Sequence, residues 1–434
     1  MANICVTGIW HQGAVVSACL ADLGHHVHGV CEERTAAALN AGKPPVHEPL
    51  LPEIIQQNIR AARLGYSADY RVGLQGADFA FICTDTPVNM ADESDLSSIY
   101  QIAENIGRNI SNAISLCITA QVPCGTSEDL AKMVRSLSTH KISVAYIPEF
   151  LRLGTAVQTF READRVVIGC NDPAISPSIA ALYEPLGRPI VHTDIRSAEM
   201  AKHDSNAFLA TSISFINEIA ELCVPLHADA LEVVRILKLD KRIGKYAFLS
   251  PGLGFAGGTL GREIRTLQKF GSSHRLSTHL MDAVWEINAQ RALLVGRRLT
   301  TVLGSLTGRQ IGILGLTYKA GTSTMRRAIS LDIIRDLVQK GATIVAFDPL
   351  ANLSEVPDLP PMRMVADPYQ AAQGCTALVL VTEWAEIDSL DFARLRSGMS
   401  GDVFLDTRNL LDPARMVQAG FRYLGIGRSL GNRE

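Results

Sequence analysis

The chain has 434 residues, of which 47% are hydrophobic and 20% charged, the balance of a globular protein rather than a disordered one. At roughly 150 residues per domain, this length allows two or three domains. The net charge of -3 leaves no basic surplus that would attract nucleic acid or an anionic membrane surface, so neither is expected as a partner.

The first half of the sequence alternates short apolar runs with helical patterns. An apolar-periodic helix is predicted from about Gly13 to Leu23, after a first buried strand. The strand candidates, in chain order, are NICVTG, HVHGV, DFAFICT, SLCIT, SVAYIP and RVVIGC. Strands that alternate with helices predict a parallel sheet with right-handed crossovers.

The middle of the chain is helical. Residues Ser197 to Cys223 contain no proline or glycine and carry apolar residues at helical spacing, which predicts one long helix. A second helical stretch is predicted from about Thr278 to Leu303.

The last third repeats the alternating pattern, with RQIGILGLTYK, a helix near Leu331–Lys340, then GATIVAFDP, ALVLVTEW and DVFLDTRN. We therefore predict an α/β fold with two Rossmann-like, doubly wound parallel-sheet domains joined by a long central helix. The predicted domains are residues 1–195, a central helical domain at 196–304, and residues 305–434.

A glycine loop ends the first strand and opens the first helix. In GIWHQG, Gly8 and Gly13 occupy the first and last positions of the G-x-G-x-x-G dinucleotide pattern, but Trp10 occupies the middle one. The indole either fills the phosphate slot or points outward. The second strand ends in GVCEE, so Cys31 stands where an acid should hold the ribose hydroxyls, and Glu32 follows it. A nucleotide fold that no longer binds a dinucleotide is the alternative interpretation.

Taken together, several segments resemble the UDP-glucose/GDP-mannose dehydrogenase family nearly end to end. They are NAGKPPVHEPLL, PEFLRLGTAVQTF, DRVVIG, TDIRSAEMAKHDSNAFLATSISFINEIAELC, DKRIGKYAFLSPGLGFAGG, GILGLTYKAGTSTMR, VTEW and DTRN. The resemblance implies a homodimer or larger oligomer that uses NAD⁺ to oxidise the C6 alcohol of a nucleotide sugar to a carboxylate. In the family, a cysteine thiolate traps the intermediate aldehyde, and a thioester is then hydrolysed.

The resemblance also implies catalytic positions. Lys202 and Asn206 match a lysine and an asparagine of the central helix, and their i, i+4 spacing puts both on one face, where they can stabilise an alkoxide. Glu149 matches a glutamate implicated in thioester hydrolysis. In TLGRE, Thr259 takes the place of the catalytic cysteine, and Glu263 takes that of an aspartate.

Substrate and cofactor positions follow from the same resemblance. The implied substrate contacts are Arg242, which in the family reaches the neighbouring subunit's sugar, Phe255 and Gly257 in the glycine-rich turn, Lys319 and Arg408. The implied cofactor contacts are Gly8, Trp10, Gly13, Glu32, Thr86 and Arg326.

The replacement at Thr259 changes the expected chemistry. A cysteine thiol has a pKa near ~8.5 and forms a thiolate easily, whereas a threonine hydroxyl is many units less acidic and needs a dedicated base. A thioester at this position is therefore ruled out, although the first oxidation is not. In the loop AQVPCG, Gln121 replaces the family's threonine, and Cys124 leaves a relocated thiol as an alternative.

Two hypotheses of different classes follow. The first is a UDP-hexose oxidoreductase with an altered active site that stops at the aldehyde, oxidises the hydrated aldehyde slowly, or uses transient oxidation for another purpose such as epimerisation. The second is a non-catalytic nucleotide-sugar-binding homologue with lost or weakened NAD binding.

Other sequence signals are weak. Three histidines in GHHVHG alternate along a strand without a completing ligand, so no metal site is expected. The opening MANICVTGIW lacks the regions of a signal peptide, no run is long enough to span a membrane, and the nine cysteines form no C-x-x-C pair. We therefore expect a reduced, cytoplasmic protein.

Overall fold

Parallel strands and the helices between them build both halves of the chain. The computed structural model describes residues 1–84, 86–87, 94–256 and 259–428. The chain divides into two units, Met1–Ser205 and Asn206–Glu434. The three-domain division at residues 195 and 304 stays a prediction.

The first unit contains one sheet, which has eight strands within the described residues, in the order β3-β2-β1-β4-β5-β6-β7-β8. The strands are β1 Asn3–Thr7, β2 His26–Val30, β3 Leu64–Ser67, β4 Phe79–Ile82, β5 Ile114–Ile118, β6 Ile142–Tyr146, β7 Val166–Cys170 and β8 Ile190–Thr193. All neighbours are parallel except β6 and β7, where Tyr146 lies opposite Gly169 in an antiparallel register. The order reverses between β1 and β4, which is the switch point where open α/β sheets bind ligands.

Helices cover both faces of this sheet. They are α1 His11–Asp22, α2 Glu33–Asn40, α3 Leu51–Arg60, α4 Tyr70–Leu74, α5 Ser97–Asn109, α6 Thr126–Leu137, α7 Ala156–Arg161 and α8 Ser176–Tyr183, with α9 Ile195–Cys223 continuing past the first unit's last residue. Because side chains alternate along a strand, Ile4 and Val6 enter one buried apolar cluster and Cys5 enters the cluster on the opposite face. This two-sided burial explains why the strands read as continuous apolar runs.

The second unit repeats this arrangement with a six-stranded sheet, counted over the described residues, in the order β11-β10-β9-β12-β13-β14. The strands, all parallel to their neighbours, are β9 Gln310–Leu314, β10 Thr343–Phe347, β11 Arg363–Met364, β12 Ala377–Leu380, β13 Val403–Asp406 and β14 Arg422–Gly425. Its helices are α10 Ala230–Leu239, α11 Leu260–Ser273, α12 His279–Arg291, α13 Leu294–Leu303, α14 Ile329–Gln339, α15 Pro368–Ala372, α16 Ala385–Asp388, α17 Phe392–Gly398 and α18 Pro413–Gln418.

The predicted α/β architecture is confirmed, with differences in detail. The helical stretch predicted from Thr278 to Leu303 is two helices, α12 and α13, separated by two residues. Strand β7 was expected to continue a parallel sheet and instead runs antiparallel to β6. The predicted long helix is present as α9, beginning two residues earlier than expected.

The three neighbouring histidines have separate structural surroundings. His25 is buried and its Nε2 lies 3.0 Å from the carbonyl oxygen of Leu182, while Nε2 of His28 lies 2.8 Å from Oγ of Ser67. Within the described ranges, no group of three or more His, Cys, Asp or Glu side chains is arranged to hold a metal ion. In the same part of the chain, no helix is both long and apolar enough to cross a bilayer.

Candidate functional site

The turn from β1 into α1 requires glycine at two places. Gly8 has a φ of +75°, and a Cβ on it would lie 2.5 Å from the backbone nitrogen of Thr84, just beyond β4. A Cβ on Gly13 would lie 2.5 Å from the carbonyl oxygen of Gly8. Both contacts are far inside van der Waals distance, so the strand, turn and helix pack backbone against backbone at the switch point.

The middle position of the turn does not need glycine's conformational freedom. Trp10 has a φ of -126° and a side chain that is 51% exposed, so its indole points outward rather than into the core. Its carbonyl accepts a hydrogen bond from the backbone N–H of Ala14, which starts helix α1. The N-terminus of this 12-residue helix, His11–Asp22, lies at the glycine turn, where its N–H groups and dipole favour an anion. These residues fit a dinucleotide diphosphate.

The end of the second strand offers an acid one residue later than expected. Cys31 donates its backbone N–H to Ser67, and burial together with Glu32 and Glu33 raises the pKa of its thiol to about 11. Glu32 is exposed and forms the N-cap of α2. A cleft of about 550 Å³ opens beside Glu33 and Tyr70, at the carboxyl ends of β2 and β3. The acid that lines this cleft is Glu33, the residue after Glu32.

The structure brings two predicted catalytic residues together. Lys202 on α9 donates from Nζ to the carbonyl oxygen of Glu149, and its ammonium lies 4.8 Å from the ring centroid of Phe150. Burial raises the pKa of the Glu149 carboxyl from 4.5 to about 7, and the charge of Lys202 opposes this rise. A carboxyl with a pKa near neutrality suits general acid–base chemistry.

The loop after β5 does not contain an activated thiol. Sγ of Cys124 contacts the carbonyl oxygen of Arg196 at 3.7 Å, and burial and the nearby Glu199 raise the pKa of the thiol. This shift is the reverse of what a nucleophilic thiolate needs. The predicted cofactor residue Thr86 lies against this loop, where its hydroxyl donates to the carbonyl oxygen of Gln121 at 2.9 Å.

In the second unit, the glycine-rich turn is held by three buried or half-buried side chains that sequence reasoning missed. The amide of Asn288 bonds both the N–H and the carbonyl of Phe255, at 2.8 and 3.0 Å. Arg291 donates from Nε and Nη2 to the carbonyl of Gly252, and the side-chain oxygen of Asn217 accepts from the N–H of Gly252. These partners lie on α12 and α9, 33 to 39 residues from the turn, and no local pattern links them to it.

Thr259 occupies a defined position at the start of a helix. It is exposed and forms the N-cap of α11 without a side-chain capping bond. Within the first turn of α11, Nε of Arg262 lies 3.2 Å from Oε1 of the fully buried Glu263. The predicted acid is therefore paired with the cation beside it.

Two further predicted residues lie near the start of the second unit's part of α9. Phe255 is buried in an apolar cluster with Ala207 and Ala210 of this helix. The amide nitrogen of Asn206 is buried and has no hydrogen-bond partner in the described part of the chain, so it is available to a ligand. Gly257 lies outside the described residues.

The remaining basic residues collect at the carboxyl ends of the second unit's strands. Lys319 follows β9, and Arg408 follows β13, with β12 between these two strands. Nε of Arg408 donates to the carbonyl of Val381 at 2.6 Å and lies 3.0 Å from a carboxylate oxygen of Glu383. Arg326, the predicted cofactor contact, is exposed on the loop between β9 and α14.

A buried carboxylate fixes the turn that precedes Lys319. Oδ2 of Asp348, at the end of β10, accepts from the backbone N–H groups of Leu316 and Thr317 and from Nε1 of Trp384. Asp348 therefore links the carboxyl ends of β9, β10 and β12, at the edge where an open sheet binds ligands. Sequence reasoning missed it, although its FDP segment was quoted within a strand.

Among the predicted substrate residues that the structure describes, Arg242 is the most exposed. Its side chain is 88% exposed and is oriented by Asp240, which accepts from Nε at 3.0 Å and from Nη2 at 2.6 Å. Within the second unit it therefore projects from the loop after α10 towards solvent.

Comparison with known proteins finds family matches along most of the chain. Sequence models of the UDP-glucose/GDP-mannose dehydrogenase family match residues 2–187 (NAD binding domain), 196–290 (central domain) and 312–413 (UDP binding domain).

Relatives match over nearly the whole chain. A UDP-glucose 6-dehydrogenase of Pseudomonas aeruginosa is 35% identical, covering 98% of this chain and 97% of that protein. The UDP-glucose 6-dehydrogenase TuaD of Bacillus subtilis is 33% identical, covering 99% and 94%. Among solved structures, a UDP-glucose dehydrogenase from Pyrobaculum islandicum superposes with a TM-score of 0.90 at 30% identity, covering 99% of this chain and 98% of that one.

The raised pKa of Glu149 predicts a pH-dependent stability difference. Because the folded state holds this proton up to about pH 7 while the unfolded chain releases it near 4.5, the carboxyl lowers stability as pH rises through that window. Glu149→Gln cannot ionise, so relative to wild type it gains stability between pH 5 and pH 8, by about 1–3 kcal/mol.

Urea unfolding of wild type and Glu149→Gln at pH 5 and pH 8 measures this gain in the free energy of unfolding. The exposed Glu162→Gln is the control and should show no pH-dependent gain. An equal response of the two variants to pH would contradict a raised pKa at Glu149.

Proposed function

Because this chain belongs to the UDP-glucose/GDP-mannose dehydrogenase family, with NAD as cofactor, we propose that it oxidises the C6 alcohol of a UDP-hexose. We propose further that it does not reach the uronic acid through a thioester. The observation that carries the second statement is the hydroxyl of Thr259 at the position of the family's cysteine. UDP-glucose is the first substrate to test, since relatives that match over nearly the whole chain carry that name.

The first oxidation needs a base, an alkoxide stabiliser and a hydride acceptor. The C6 hydroxyl loses its proton to a base, and C6 loses a hydride, which leaves an aldehyde. NAD⁺ supplies the hydride acceptor when bound. Glu263, held beside Arg262, is the candidate base, and the ammonium of Lys202 and the unpartnered amide of Asn206 are the candidate alkoxide stabilisers.

The second oxidation lacks its covalent carrier. A threonine alkoxide at Thr259 would need a base to form and would add to the aldehyde as a hemiacetal. Loss of a second hydride from that hemiacetal would leave an ester, which lacks the reactivity of a thioester. The exposed position of Thr259 at a helix start supports direct attack of water on the aldehyde instead. The hydrated aldehyde can then lose a second hydride slowly, with Glu149 as a carboxyl of near-neutral pKa to take the proton.

Substrate binding is proposed at the carboxyl edge of the second unit's sheet. Lys319 and Arg408 lie there, and two positive charges suit the diphosphate of a nucleotide sugar. The guanidinium of Arg408 is already paired with the carboxylate of Glu383. Binding of the nucleotide sugar would replace that carboxylate by a phosphate.

A non-catalytic sugar-nucleotide-binding protein is the second candidate. It is favoured by the replacement of the middle glycine by Trp10, an indole on the turn that would receive the diphosphate. Under this alternative the second unit binds UDP-glucose, and no NADH is formed.

We also propose that the chain acts as a homodimer or larger assembly through α9. Phe208, Phe215 and Leu222 recur every seven residues and are 72%, 48% and 55% exposed in the single chain. This spacing places them on one stripe of the helix, and an exposed apolar stripe marks an interaction site. In such an assembly the exposed Arg242 would be available to a neighbouring subunit's sugar.

Product stoichiometry tests the proposed chemistry. Wild type given UDP-glucose and NAD⁺ should release one NADH per sugar in the fast phase, with the aldehyde trapped by a hydrazine reagent. Thr259→Cys should add a second fast NADH and yield uronic acid, because a thiolate can hold the acyl group. Thr259→Ser, which has the size of cysteine without its sulfur, is the matched control and should still release one NADH per sugar in the fast phase.

Two outcomes would contradict the proposal. Two NADH per sugar from wild type at an ordinary rate would overturn the claim about the thioester. No NADH from wild type, together with retained UDP-glucose binding, would favour the non-catalytic alternative.

The solution mass tests the assembly. Wild type should show at least twice the chain mass of 46.9 kDa by light scattering, and Phe208→Asp should shift the population towards the monomer because it places a charge in the stripe. Val72→Asp, at an isolated position that is 50% exposed, is the control. A wild-type mass of one chain would refute the assembly.

A further inference from the structure

One fully buried carboxylate in the first unit has no role in the function proposed above. Glu48 has no solvent exposure. Its Oε2 accepts from Nε2 of His11 at 2.8 Å and from the N–H of Gly154 at 2.8 Å, and its Oε1 accepts from the N–H of Ala156 at 2.7 Å. A buried charge is tolerated when it is paired and hydrogen-bonded, and here three donors satisfy it.

These donors belong to two functional segments. His11 is the first residue of α1 and directly follows Trp10 in the dinucleotide turn. Gly154, at a φ of +86°, ends the loop that follows β6, and Ala156 begins α7. Glu48 therefore joins the cofactor-binding turn to a segment more than 100 residues away in sequence.

The second segment also contacts Lys202, which lies on α9 and is proposed to stabilise the alkoxide. The same loop carries Glu149, whose carbonyl accepts from Lys202, and Phe150, whose ring lies under the lysine ammonium. A continuous series of contacts thus runs from His11 through Glu48 and the loop to Lys202, entirely within the first unit.

We infer that Glu48 is a positioning residue that couples the dinucleotide turn to the placement of Lys202. The inference rests on the proposed function for the role of Lys202, although the physical link is a property of the apo chain. Loss of one bond leaves a buried N–H without an acceptor, so the loop relaxes at one end and the start of α1 at the other. Displacement of a catalytic group by about 1 Å can cost on the order of a hundredfold in rate.

Glu48→Gln is the main test variant. Its amide keeps the shape of the carboxylate but replaces one acceptor by a donor, which must face one of the three N–H groups. Asn58→Ala is the matched control, because Asn58 is also fully buried in the first unit, away from this series of contacts. Its amide donates to the carbonyl of Ile54 and accepts from Nε of Arg63. It lowers stability without touching the link.

Hydrogen exchange of the apo protein is the first readout. In Glu48→Gln, the amides of residues 11–14 and 149–156 should exchange about tenfold faster than in wild type, because loss of the bonds at one side-chain position lets the side chain shift and weakens the bonds at the other. Asn58→Ala should leave these two segments at the wild-type rate. Faster exchange at only one end, or in both variants alike, would overturn the inference.

Ligand binding and kinetics are the second readout. Glu48→Gln should raise the Kd for NAD⁺ several-fold by calorimetry and lower kcat by about tenfold to a hundredfold, with the KM for UDP-glucose nearly unchanged. A destabilised protein with wild-type kcat and Kd would mean that Glu48 is only structural.

Variants at His11 provide the rescue test. His11→Phe removes the donor and should reproduce the effects of Glu48→Gln, whereas His11→Gln keeps an N–H donor and should recover much of the loss. The double variant His11→Phe/Glu48→Gln should lose no more kcat than Glu48→Gln alone, because both substitutions remove the same interaction. Additive losses of kcat would contradict the link. If wild type forms no NADH while apo exchange still shows the link, the proposed function fails and the coupling stands.

Discussion

The close approach of backbone to backbone at Gly8 constrains the rest of the first unit. With a Cβ-to-nitrogen distance of only 2.5 Å to Thr84, no side chain fits between the turn and the end of β4. This contact sets where α1 begins and therefore where its N-terminal dipole points. The replacement of the middle glycine by Trp10 leaves this packing untouched, because the indole points outward and the backbone there has an ordinary negative φ. The altered motif is thus compatible with an intact turn.

The two oxidation steps of the proposed chemistry require different groups. Lys202 is held by the Glu149 carbonyl, and burial raises the pKa of the Glu149 carboxyl to about 7, which suits the roles proposed for these two residues. The proposal places Thr259 at the position of the family's covalent carrier, and Cys124 is no substitute because the pKa of its thiol is raised rather than lowered. In the proposed function, hydride removal from the alcohol uses Lys202, Asn206 and Glu263 and needs no thiol. The covalent step alone depends on sulfur.

Local signals in the sequence predicted most of the fold. The glycines of the first turn, the apolar strands and the uninterrupted run of α9 each follow from a few neighbouring residues. Four strands were missed because they are short and mix polar with apolar residues: β3 Leu64–Ser67, β8 Ile190–Thr193, β11 Arg363–Met364 and β14 Arg422–Gly425. The direction of β7 depends on the path of the preceding loop and α7 rather than on the composition of the strand.

Candidate site residues could be named from the sequence only through the glycine pattern of the first turn and through the family resemblance. Nothing in the spacing of His11, Glu48 and Gly154 indicates that they meet, because their contacts join positions 37 and 106 residues apart. The hydrogen bonds from Asn288 and Arg291 to the glycine-rich turn also join residues far apart in sequence, 33 and 39 positions. Such buried polar contacts obey no periodic rule, since each is fixed by tertiary packing.

Calorimetric titration of the apo protein with NAD⁺ tests most directly whether the turn still accepts a dinucleotide. The account predicts saturable binding by wild type and by Trp10→Gly, and its loss in Gly8→Val, where a side chain would force the turn away from Thr84. Absence of binding of both NAD⁺ and NADP⁺ to wild type would contradict the account.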